Sequence, residues 1–206
     1  SEDELHNIFF GFGKRLAENI HAQMADHYWE NASSYEVSIK AGFVSLRDAA
    51  YTTGEKEIHS LRNTLQDKSK IKKMLFGGFL KCLYDVQKFD SDTERTFALI
   101  LEREANKWFK PVSGQFQIYY KDGVHHREYL PDFVAELDDK VIMVETKARG
   151  DLDAPVVINK AEAARKWCSN ASEYLTKHGG KPWEYWLIPH DEVHENRDLS
   201  GFVSRV

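Results

Sequence analysis

The sequence predicts an α/β fold, with a mixed sheet flanked by helices over residues 89–206 behind a mainly helical extension over 1–88. Three observations carry this. Residues 131–147, PDFVAELDDKVIMVETK, read as two strands around a short acidic turn, Asp138-Asp139. Both faces of that hairpin are apolar: Phe133, Ala135, Leu137, Ile142 and Val144 alternate with Val134, Val141 and Met143. A sheet apolar on both faces is covered on both. Helix-period apolar spacing brackets the hairpin, over 93–107 and again over 159–174.

The elements follow in order. Residues 4–30 read as a long helix, because Ile8, Phe12, Leu16, Ile20, Met24 and Tyr28 recur every fourth position, with Leu5 and Phe9 alongside. Gly11 and Gly13 weaken its first turns. The stripe is a packing face, which in a longer protein would dock on a neighbouring domain. Residues 35–40, YEVSIK, alternate as a strand, and 43–47 supply a partner after a turn at Ala41-Gly42. After a break at Thr52-Thr53-Gly54, residues 55–66 read as helix through Ile58, Leu61 and Leu65. A further helical stretch, 68–86, carries Ile71, Met74, Leu75, Phe79, Leu83 and Val86, with a kink or break at Gly77-Gly78.

A boundary falls near Phe89. Asp90-Ser91-Asp92 starts a helix running over 93–107, with acid at its positive end and Phe97, Ile100, Leu101 and Ala105 on its buried side. Residues 115–120 form a strand, 121–123 a turn and 124–130 the returning strand, which sets His125-His126 beside the hairpin. Pro131 suits a place where the strand needs no ladder donor. Residues 149–155 form a polar loop. The helix over 159–174 has Asn159 as candidate cap and Ala163, Ala164, Trp167, Ala171 and Leu175 as its stripe. Residues 183–188, WEYWLI, are a last core strand, and the tail after Pro189 is polar and loosely held as far as Phe202.

The chain has 206 residues, 42% hydrophobic and 30% charged, enough for one or two domains with a substantial core. No apolar run approaches the roughly 20 residues of a membrane span, and no signal-peptide pattern is present. Two cysteines, Cys82 and Cys168, are too few for a disulfide framework and point to buried apolar roles in a reducing, cytoplasmic setting. The chain opens on Ser1 rather than methionine, which suggests a piece of a longer protein. No G-x-x-x-x-G-K-[ST] loop occurs, so no nucleotide site is expected in this chain. The run His190-Asp191-Glu192-Val193-His194 lacks the glutamate a zinc-protease helix needs after its first histidine. The net charge of −5 does not advertise a nucleic-acid binder, although Lys68, Lys70, Lys72 and Lys73, then Arg103, Lys107 and Lys110, then Arg165-Lys166 form local basic groups.

The chemistry concentrates at the open end of the hairpin. With a two-residue loop, partner numbers sum to 277, so Asp132 lies opposite Glu145 with Cβ atoms about 5 Å apart. Lys147 emerges on the same face one step along. Two like charges that close repel unless something neutralises them. Mg²⁺, for which Mn²⁺ can substitute, prefers such oxygens and keeps waters or phosphate oxygens in its other positions. The Thr146 carbonyl is a further candidate ligand, and Lys147 a group to orient water or offset charge on a phosphate. A surface hairpin with an ordinary carboxylate–lysine salt bridge fits the same residues. Glu94 lies in the first turn of its helix, where a carboxylate can cap the helix start. Lys160 and Lys166 are within reach of a phosphate or simply solvated.

The spacing Pro131-Asp132 … Glu145-Thr146-Lys147 resembles the motif of the PD-(D/E)xK nuclease superfamily. Its flanks, Lys88-Phe89-Asp90-Ser91-Asp92-Thr93-Glu94, Trp108-Phe109-Lys110-Pro111, Tyr129-Leu130-Pro131-Asp132-Phe133 and Lys160-Ala161-Glu162-Ala163-Ala164-Arg165-Lys166-Trp167-Cys168, resemble the C-terminal endonuclease region of the type III restriction enzyme restriction subunit over about 68–193. The resemblance implies a restriction-endonuclease-like core of order αβββαβ over 89–206. It implies a Mg²⁺-dependent endodeoxyribonuclease acting on double-stranded DNA. Asp132, Glu145, Lys147 and Glu94 would be the catalytic set, with metal on Asp132, Glu145 and the Thr146 carbonyl and a DNA contact at Lys160. As partners it implies a helicase-like motor in the same full-length subunit and a DNA methyltransferase subunit. A non-catalytic DNA-binding or docking module on the same scaffold is the rival reading, favoured by the negative charge. A structure-specific or RNA nuclease also fits the motif, which reads phosphate rather than base or sugar.

Overall fold

The computed structural model describes residues 2–27, 45, 46, 51, 57–116, 118–122 and 125–202. The expected strands over 35–40 and 43–47 lie outside the described residues, apart from Ser45 and Leu46, which have no regular structure. The backbone divides into two compact units, residues 1–41 and 42–206. The first contains α1 (Glu2–His27), as the four-residue spacing predicts. Phe12, Leu16, Ile20 and Met24 are exposed on it.

The second unit is α/β with mixed sheets. It opens with β1 (Ile58–Ser60), a 3-10 turn over Lys68–Lys73, β2 (Leu75–Gly77) and β3 (Val86–Gln87). Among the described residues, strands therefore stand where helices were expected over 55–66 and 68–86: β1 pairs parallel with β2, and β2 antiparallel with β3. Distant contacts override the local period here. Gly77 passes so close to β1 that a Cβ on it would meet Ile58 Cγ2 at 2.8 Å, and Gly78 has φ +79. Residues 80–82 are held by the buried Glu102 carboxylate. It accepts from the backbone N–H of Leu80 (2.9 Å), Lys81 (3.0 Å) and Cys82 (3.1 Å) and from Trp108 Nε1 (2.8 Å). Cys82 is only partly buried there, whereas Cys168 is buried as expected; both are free thiols.

Next comes α2 (Asp92–Glu104), capped by Ser91, whose hydroxyl accepts from Glu94 N–H. Phe97, Ile100, Leu101 and Ala105 are buried as predicted. The helix stops three residues early, because β4 (Lys107–Phe109) pairs with the later hairpin and buries Trp108 and Phe109. β5 (Ile118–Asp122) and β6 (His125–Tyr129) form a ribbon of their own. His125 and His126 thus do not lie in the hairpin's sheet. Leu130-Pro131 intervenes, and a proline has no N–H to extend the ladder.

The predicted hairpin is β7 (Phe133–Glu136) and β8 (Val141–Lys147), with Phe133 opposite Val144 and Ala135 opposite Ile142. These pairs sum to 277, and Leu137 N–H closes the turn on Lys140 O at 2.8 Å. α3 (Pro155–Lys177) starts at Pro155, a residue preformed for a first helical position, so Asn159 is not its cap. Asn159 Nδ2 instead donates to Lys121 O at 2.9 Å, tying α3 to the ribbon. The buried stripe is Val157, Ala161, Ala164 and Cys168, with Trp167 at its margin. β9 (Trp183–Pro189) lies parallel to β8.

The main sheet runs β4-β7-β8-β9. Without the ribbon, its elements arrive as helix, three strands, helix, strand. Phe133, Ala135, Ile142 and Val144 face one core with Phe97, Leu101, Trp108 and Leu61. Met143 and Tyr185 face the other with Ala161, Ala164, Ile118 and Tyr129. The sheet is covered on both faces, as its composition requires. The tail is not loosely held: Val193, Leu199 and Phe202 return to the first core, with Phe202 5.6 Å from Phe97. Arg103 clamps the carbonyls of Glu195 (2.5 Å) and Arg197 (2.6 Å).

Removing the Glu102 carboxylate leaves the buried Trp108 Nε1–H and three partly buried backbone N–H groups without their acceptor, at up to about 1–3 kcal/mol each. Glu102→Ala is therefore expected to lower unfolding free energy by roughly 3–5 kcal/mol in urea denaturation, near the upper range for a single site.

Candidate functional site

Burial and register assemble the site. Asp132 immediately precedes β7, and its Oδ2 accepts from both Thr146 N–H (2.8 Å) and Thr146 Oγ1 (2.9 Å). Two donors from one residue fix the aspartate across the open end of the hairpin. Thr146 enters through these groups as well as through its place between Glu145 and Lys147.

Glu145, at 7% exposure, is the buried member. Its Oε2 accepts from the Tyr129 hydroxyl at 3.1 Å and its Oε1 lies 3.5 Å from Lys147 Nζ. Burial, and then the Asp132 charge, push its carboxyl up to about 7, against the pull of Lys147, Lys160 and the Tyr129 bond. Lys147 is partly exposed. Lys160 reaches the site from α3, its ammonium 5.4 Å from the Tyr120 ring centre. Lys166, on the same helix, is exposed.

Glu94 lies in the first turn of α2. It is buried, and its Oε2 accepts from Asp90 N–H at 3.2 Å, so it serves its own helix start. The same oxygen pairs with Lys110. Burial raises its carboxyl, Lys110 opposes this, and the Asp132 charge raises it further, so the site's field extends to it. Among the described residues, no group of three or more His, Cys, Asp and Glu side chains could hold a metal ion. Asp132 and Glu145 form a two-carboxylate pair.

Comparison with known protein families, with curated proteins and with solved structures finds no match.

Three residues of the site were not predicted. Lys110 was read only as part of a local basic group, yet its ammonium lies over the rings of Phe89 (5.8 Å) and Phe133 (4.9 Å). Its position after Trp108-Phe109, a buried strand, was the available signal. Tyr129 and Tyr185 sit under α3 with ring centres 6.3 Å apart. Burial raises the Tyr129 hydroxyl well above its ordinary value, so it is a neutral donor. Arg165 lies 5.9 Å from the Tyr185 ring centre. The run over 190–194 is structural: Arg149 pairs with Asp191 (2.7 Å) and Glu192 (2.9 Å). No helix among the described residues is long and apolar enough to cross a membrane.

A carboxyl whose proton is held more tightly in the folded state than in the unfolded one destabilises the fold once it ionises. The stability present below its ordinary value of 4.5 is lost as pH rises through about 7. In chelator, Glu145→Gln is expected to match wild type in thermal midpoint at pH 4–5. At pH 8 it is expected to melt higher than wild type, its unfolding free energy larger by roughly 1–3 kcal/mol. A pH series of melting curves on both proteins checks this.

Proposed function

We propose that this chain is a metal-dependent endonuclease domain that hydrolyses phosphodiester bonds of double-stranded DNA, the cleavage module of an enzyme of the type III restriction class. The observation that carries the proposal is a buried Glu145 directly beyond the Phe133–Val144 pair, in the field of Asp132, with Lys147 at 3.5 Å. Charged groups set into an apolar sheet end need a reason, and perturbed carboxyls cluster at functional sites. The main-sheet order of helix, three strands, helix, strand agrees with the core expected of a PD-(D/E)xK nuclease.

The residues fit a hard divalent cation. Two carboxylates suit Mg²⁺, which commonly keeps several waters, and a cation would offset the burial and the Asp132 charge that together raise the Glu145 carboxyl. When bound, Mg²⁺ polarises a phosphodiester and lowers the pKa of water. Asp132, held by Thr146, and Glu145, held by Tyr129, would carry the ion, with the Thr146 carbonyl as a further oxygen ligand. Lys147, tethered beside Glu145 but partly exposed, orients the attacking water or offsets charge on the phosphate. Lys160 approaches a DNA phosphate from α3. Glu94, whose carboxyl is raised in part by the like charge of Asp132, would be the fourth member of the catalytic set. The helicase-like motor and methyltransferase partner belong to the same proposal.

A second reading has its own observation. No described buried side-chain polar atom lacks a hydrogen-bond partner, so the Asp132–Thr146 and Glu145–Tyr129 bonds satisfy this end of the sheet without a metal. That suits a non-catalytic DNA-binding or docking module.

Supercoiled plasmid with Mg²⁺ or Mn²⁺ separates the two. Wild type is expected to nick or linearise it, with cleavage lost in chelator and at least about 100-fold slower in Lys147→Ala, a loss typical of a group acting on the developing charge. Mn²⁺ titration by calorimetry is the companion measurement, and Asp132→Ala is expected to abolish the heat of binding. A wild type that neither cleaves nor binds Mn²⁺ is the docking-module outcome.

A further inference from the structure

We infer that Tyr129 is a positioning residue: its hydroxyl holds the Glu145 carboxylate in the orientation that receives a divalent cation, and Tyr185 braces it from behind. This rests on the metal-dependent reading above and adds a residue to it.

Beyond the Tyr185 hydroxyl beside it, the packing gives Tyr129 no use for its hydroxyl. The ring, 1% exposed, is surrounded by Ile118, Met143, Ala161 and Ala164, a lining that phenylalanine would satisfy equally. A buried hydroxyl is costly unless bonded, and this one donates to Glu145 Oε2 at 3.1 Å. The two carboxylate oxygens are thereby divided. Oε2 is held from the interior by a neutral donor, while Oε1 faces the cationic side, 3.5 Å from Lys147.

The chain reinforces the geometry. Tyr129 ends β6 opposite Ile118, and only Leu130 and Pro131 separate it from Asp132. One short segment thus orients one carboxylate and supplies the other. Tyr185 faces the same core from β9, level with Met143, and its ring meets Tyr129 edge-on at 78°. Partners that fix a ligand in this way commonly change metal affinity by about 10–100-fold when removed.

The test is Mn²⁺ affinity by calorimetry in wild type, Tyr129→Phe, Tyr185→Phe and Asp132→Ala, with melting curves in chelator to establish folding. Tyr129→Phe is expected to weaken Mn²⁺ about tenfold or more while keeping a cooperative transition. Tyr185→Phe, acting through Tyr129, is expected to weaken it less, by about threefold. A spectroscopic readout distinguishes positioning from mere packing. Mg²⁺ should produce a tyrosine ultraviolet difference signal in wild type that disappears in Tyr129→Phe. Affinity in Tyr129→Phe equal to wild type overturns the inference and leaves the metal-dependent reading standing. Should that variant not fold, unchanged affinity in Tyr185→Phe does the same. A wild type that binds no Mn²⁺, indistinguishable from Asp132→Ala, overturns the metal-dependent reading and the inference with it.

Discussion

The structure depends on a hairpin that is apolar on both faces. Phe133 and Val144, opposite one another, bury into the core under α2, while Met143, one residue away, buries into the core under α3. Slipping the register by one residue would exchange the two sets and bring the wrong side chains into both cores. The register is therefore fixed by burial as well as by the turn. Everything at the open end inherits that precision: Asp132 meets Thr146, and Glu145 points toward α3 with Tyr129 and Tyr185, because Phe133 and Val144 are already paired.

Two buried glutamates show what such placement means. Glu102 accepts four hydrogen bonds, three from consecutive backbone N–H groups and one from Trp108 Nε1, all within 3.1 Å. It is a structural pin. Glu145 has one neutral hydroxyl and an ammonium at 3.5 Å, with the Asp132 carboxylate near, and its carboxyl is raised. Burial is similar in the two; compensation is not. Glu145 lacks the compensation that Glu102 has, and the proposed cation site rests on that difference.

What was legible in the sequence follows from where the deciding contacts lie. The hairpin, its two-residue turn and its register are encoded within seventeen consecutive residues by a period-2 pattern, and Ser91 announces α2 by a cap that is equally local. Residues 57–88 were misread because short apolar runs suit helix and strand alike. The choice was made by Glu102, Trp108 and the close approach at Gly77, two of them from later in the chain. The same applies to the site. Asp132, Glu145 and Lys147 were readable from spacing. Lys110 and Tyr129 were not, because their roles are defined by Glu94 and Glu145, sixteen residues away in each case. Asn159 lost its cap role to Pro155, a competition visible in the sequence but settled by helix-start chemistry rather than by periodicity.

The net charge of −5, which argued against a nucleic-acid partner, also reads differently once placed. Much of the acid is committed internally. Asp92 binds Lys68 and Arg95, Glu184 binds Lys140, Glu136 binds Lys181, and Asp191 and Glu192 bind Arg149. Glu102 and Glu104 accept backbone N–H groups. On the α3 side of the site, Lys160 and Arg165 rest against Tyr120 and Tyr185, and among the described residues neither forms a salt bridge with a carboxylate. A ligand senses the local potential of the face it approaches, and within a Debye length of about 8–10 Å the distant pairs count for little. An acidic chain can thus present cations where a phosphate would arrive, and the overall sum carries little weight against the reading drawn from Asp132, Glu145 and Lys147.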